Sequence, residues 1–71
     1  MEPYKEIWDD AWRFFNYYIG KLPMSDTEWE ELIQMLPKFV ARHPDHQTLA
    51  RKMIIAVESE LEAQDKIRRI T

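Results

Sequence analysis

Between Tyr4 and Leu22 the apolar residues recur at helical spacing. At about 100° per residue, Tyr4, Ile7, Trp8, Ala11, Trp12, Phe14, Phe15, Tyr18, Ile19 and Leu22 share one arc of roughly 160°. Lys5, Glu6, Asp9, Asp10, Arg13 and Asn16 fill the opposite arc, and Tyr17 alone breaks the partition. Pro3 suits a first helical turn and Gly20 with Pro23 supplies a stop, which predicts a first helix over residues 3–20. A stripe this wide exceeds what one antiparallel neighbour covers, so it predicts burial against two other helices.

The second segment carries the strongest local signal. Ser25 is placed to cap a helix, Glu28 three residues later to reach back to its amide, and Met24 to pack on Trp29 as a hydrophobic staple. Trp29, Leu32, Ile33, Leu36, Phe39 and Val40 keep the period, but Pro37 lacks an amide hydrogen and predicts a kink or break at 36–37. His43-Pro44-Asp45-His46 reads as the second connection, with Asp45 as the expected cap of a third helix beginning near His46. That helix shows one apolar face at Ala50, Met53, Ile54, Val57 and Leu61. A second, weaker stripe runs through Leu49, Ala56, Ala63, Ile67 and Ile70, and Ile55 belongs to neither. The charged run beyond Leu61 predicts that the last two turns project past the core.

Composition agrees with this pattern. Of 71 residues one is Gly and 45% are apolar, the net charge is −3, and seven of the nine aromatic residues lie between Tyr4 and Tyr18. The expectation is one all-α domain over residues 1–71, a compact three-helix bundle, too apolar and too weakly charged to be disordered. There is no Cys, which excludes disulfides, thiolate metal sites and Cys nucleophiles and favours a cytoplasmic setting. No stretch approaches the ~20 apolar residues of a membrane span, and the start of the chain has no leader pattern. The expected protein is soluble and has no membrane partner.

Reactive chemistry finds little support. His43, Asp45 and His46 cluster nitrogen and oxygen donors, but the spacing matches no closed metal site, and histidines at a helix junction commonly meet a helix end or water. Glu28, Glu30, Glu31, Glu58, Glu60 and Glu62 lack the Glu-x-x-His pairs of di-iron bundles. Ser25 is engaged as a cap, Ser59 has no nearby His, and a single Gly cannot build a phosphate cradle. A protein without catalytic residues, metal or cofactor is expected.

What remains is binding. Residues 1–31 carry a net charge of −5, residues 32–53 +3, and residues 54–71 −1. The acids Glu2, Glu6, Asp9, Asp10, Asp26, Glu28, Glu30 and Glu31 are suited to meet a basic surface on another protein. Tyr17, Ile55, Ile67 and Ile70 are apolar yet lie off the predicted core faces, which makes them, with Asp9, Asp10, Glu30 and Glu31, the candidate partner contacts. Self-association is one version, because Leu49, Ala56, Ala63 and Ile70 repeat at seven residues as in a helix seam. The alternative is a small nucleic-acid-binding regulator using Lys38, Arg42, Arg51 and Lys52.

The arrangement Trp8-x3-Trp12-x-Phe14-Phe15-x2-Tyr18, then Asp26-x-Glu28-Trp29-Glu30-Glu31, then a closing Glu58-x-Glu60-Leu61-Glu62, resembles small helical proteins of bacterial phages and mobile elements. The resemblance implies a setting in which short acidic proteins inhibit or modulate host machinery, defence nucleases included, in the manner of anti-CRISPR proteins. It implies no catalytic or ligand residue.

Overall fold

A computed structural model describes residues 3–70, so Glu2 of the acidic set lies outside the described residues. The chain forms α1 (Pro3–Ile19), α2 (Asp26–Ala41), a short 3-10 turn (Pro44–His46) and α3 (Gln47–Ile70), with no strand among the described residues. The all-α, three-helix expectation is met.

Local chemistry sets the start of α2. The Ser25 side chain accepts from the Glu28 amide at 3.2 Å while Glu28 Oε1 accepts from the Ser25 amide at 3.0 Å, so both halves of the capping box are made. Met24 is buried and Trp29 half-buried against the core, as a staple requires. The helix then runs on through Pro37 to Ala41 without a break. Pro37 forfeits one backbone bond at the exposed Ile33, but Phe39, with no exposed surface, anchors the turn beyond it. Asp45 does not cap α3; it sits inside the 3-10 turn that Pro44 opens. Proline favours that first position, which moves the start of α3 one residue later than expected.

The core comprises Ile7, Ala11, Phe14 and Tyr18 of α1, Leu22 and Met24 of the first connection, Leu32 and Phe39 of α2, and Ala50, Met53, Ile54 and Leu61 of α3. α3 packs on both other helices, whereas the backbones of α1 and α2 stay apart. They meet chiefly through side chains, as where Phe14 and Phe39 approach edge-on at 6.2 Å. The molecule is accordingly elongated, 42 × 19 × 16 Å, along the length of α3.

The end of α3 corrects the expectation that its last turns project past the core. Asp65 is only 6% exposed. One of its oxygens accepts from the Met24 amide at 3.0 Å and the other from Arg69 Nε at 2.7 Å, while Arg69 Nη2 donates to the Met24 carbonyl. Arg68 donates to the Ile19 carbonyl at 3.1 Å. Polar side chains, not apolar ones, dock this end onto the first connection, and so the apolar period could not reveal it.

Candidate functional site

A second correction concerns α1. Tyr4, Trp8 and Trp12, all expected in the core, are 56%, 60% and 63% exposed, and Phe15 and Ile19 are half-buried. The cause is the placement of the neighbours. α2 approaches the flank of α1 that carries Asp10 and Phe14, through Arg42 and Phe39, and α3 packs along α1, with Ile7, Ala11 and Tyr18 buried in the shared core. Among the described residues no further element covers the other margin of the stripe. Trp12 stacks on Phe15 with ring centres 6.2 Å apart, which orders part of this aromatic margin within its own helix.

α1 and α3 run parallel: the Tyr4 ring lies 4.8 Å from that of His46 at one end, and Arg68 bonds Ile19 at the other. Tyr4, Leu49 and Lys52 border one shallow hollow. By helical phase, the second stripe of α3, with exposed Ala56, Ala63 and Ile67, therefore lies beside the exposed rings. Aromatic and small apolar residues thus form one face along α1 and α3.

The residues singled out as partner contacts do not form one surface. Tyr17 is exposed on the α1–α2 side, edge-on to Tyr18 with ring centres 4.9 Å apart and with Lys21 Nζ over its ring at 4.6 Å. There it lines an open cleft of about 470 Å³ with Arg13, Tyr18, Glu31 and Lys38. Ile55 is exposed on the α2–α3 side, beside Leu36, Pro37 and Val40. Ile67 and Ile70 are exposed on α3, and Glu30 on α2. Asp9 is bonded by Lys5 at 2.8 Å on the surface.

Asp10 is engaged within the fold. Arg42 grips both of its oxygens at 3.0 Å and His43 Nε2 lies 2.8 Å away, joining α1 to the end of α2. Partial burial pushes the Asp10 carboxyl up, but the bonds from Arg42 and His43 outweigh it and hold the group below its ordinary range. The basic candidates are dispersed as well: Lys38 and Arg42 line the α1–α2 cleft, Arg51 bonds Gln47 at 3.3 Å and borders the hollow at Ile55, and Lys52 stands beside Tyr4. His43 and His46 turn to different rings, Phe39 and Tyr4, and no three metal-ligating side chains come together among the described residues.

Sequence reasoning missed Tyr4, Trp8 and Trp12 as surface residues. The width of the apolar arc called for two neighbours, but helical phase does not say which margin of the arc they leave open. No helix among the described residues is long and apolar enough to cross a membrane. No protein-family model, curated protein or solved structure matches the chain.

Proposed function

We propose that this chain is a non-enzymatic protein-binding module that works through the α1–α3 face. The observation that carries this reading is the solvent exposure of Tyr4, Trp8 and Trp12 along one margin of a helix whose central apolar residues Ile7, Ala11, Phe14 and Tyr18 are buried. Tryptophan and tyrosine are the residues most enriched among energetic anchors of interfaces. Neighbouring exposed apolar side chains of this size mark a surface suited to docking another protein. A cytoplasmic setting, supported by a chain without Cys, belongs to the same reading, as does a role modulating host machinery. The acids Glu30 and Glu31 would then orient encounters and not anchor them.

The test is site-specific photo-crosslinking in the native cell, with a benzophenone amino acid in place of Trp12 or, as control, Arg13 on the polar side of α1. A discrete protein adduct formed from position 12 and absent from position 13 is expected. No adduct from position 12, or the same adducts from both, would overturn the reading.

A further inference from the structure

The geometry points to a second copy of this chain as the occupant of the α1–α3 face, in a parallel two-fold dimer that seats each copy's Trp12 on the other's Ala56. This deepens the protein-binding reading and rests on it. The first ground is self-complementarity. A two-fold interface uses one patch twice, so residue i meets residue j and j meets i. Here large rings on α1 lie beside small residues on α3, the pairing of knob and flat that such a patch needs.

Register gives the second ground. Because Tyr4 touches His46, heights along the two parallel helices can be counted from that contact at about 1.5 Å per residue. Trp12 then stands about 12 Å along α1 and Ala56 about 15 Å along α3. A two-fold axis lying in the face and parallel to the helices sets α1 of one copy over α3 of the other at equal height. Trp12 falls on Ala56.

The same operation brings the outer edges together. Asp9, at about 7.5 Å, faces Lys52 at about 9 Å, and Asn16 faces Ser59 with both near 19 Å. Asp9 keeps 48% of its side chain exposed despite its bond to Lys5, and Lys52 is exposed. Charge and hydrogen-bonding capacity therefore match twice per dimer. One mismatch is built in: Glu60, bonded by Gln64 at 2.9 Å, lies on the groove side of α3 and meets its own copy near the axis.

Area supplies the third ground. Three rings, each more than half exposed, present roughly 300–450 Å². That is about half of the ~800 Å² per partner of a standard interface, and the exposed Ala56, Ala63 and Ile67 of α3 with the two edges must supply the remainder.

Sedimentation of the purified chain over a wide concentration range should show a monomer–dimer equilibrium. Trp8→Ala with Trp12→Ala should shift it wholly to monomer while the helical circular dichroism is kept. Asp9→Lys and Lys52→Glu should each weaken the dimer about tenfold or more, and the two together should restore it to within about threefold. Glu60→Gln should tighten it. A monomer at every concentration, or failure of the double charge exchange to restore what the single ones remove, overturns this dimer. The crosslink at position 12 separates the two ideas: an adduct of twice the chain mass supports both, an adduct with a different protein overturns the dimer alone, and no adduct overturns both.

Discussion

Asp65 Oδ1 accepts the Met24 amide at 3.0 Å, joining the end of α3 to a residue forty-one positions earlier. Burial pushes this carboxyl up, but the bonds from Arg69 and the Met24 amide lower it further and keep it charged. A carboxylate held below its ordinary pKa stabilises the fold above that ordinary value, and the contribution is lost as pH falls through the folded one. Asp65→Ala should therefore cost about 1–3 kcal/mol near neutrality by stranding the Met24 donor. In urea melts the cost should shrink below pH 4. An equal loss at pH 3 and pH 7 would show that shape matters there and charge does not.

Aromatic residues that sequence periodicity places on the apolar faces of α1 and α2 should separate sharply in energy. Phe39 has no exposed surface, so Phe39→Ala should cost about 3–5 kcal/mol, much of the stability of so small a domain. Trp8→Ala, at an exposed ring, should cost under about 1 kcal/mol. Phe15→Ala belongs between them because its ring is half-buried. Chemical denaturation of the three variants in dilute solution checks the order.

That separation also explains which features were legible in the sequence. The capping box at Ser25 and Glu28 is a bond between residues three apart, so local spacing suffices to specify it. Helical phase gives the apolar face of α1 but not the directions from which α2 and α3 arrive, and so it places Trp8 and Trp12 in a core that does not reach them. The same limit applies at Pro37, where local chemistry opposes the helix and the distant packing of Phe39 sustains it. Asp10 and Asp65 look like ordinary surface acids because the partners that bury them are thirty-two and forty-one residues away.

Asp10→Asn should loosen the junction of α1 with the end of α2. It removes the charge that Arg42 grips at two oxygens and that His43 also meets, and a charge-assisted bond of this kind contributes about 1.5–3 kcal/mol. Hydrogen exchange should rise at the last turn of α2 and leave the turn around Ser25 unchanged. Uniform protection in both would mean that Phe14 and Phe39 hold the junction without the bridge.

Glu58 supplies a titration of opposite sign to Asp65. A hydrogen bond with Glu62, then burial, then the negative charge of Glu62 raise its carboxyl to about 7. An acid whose folded pKa lies above its unfolded value stabilises the fold below the unfolded value, near 4.5, and that contribution is lost as pH rises through 7. The wild-type chain should thus give up stability between about pH 5 and pH 7 as Glu58 becomes charged one helical turn from the Glu62 carboxylate. Glu58→Gln keeps a hydrogen-bonding partner for Glu62 without the charge, so it should raise the melting temperature at pH 8 and leave it nearly unchanged at pH 4. Melting curves of the two proteins across that range decide the matter: parallel curves would place the proton elsewhere, whereas convergence toward acid pH assigns it to this pair.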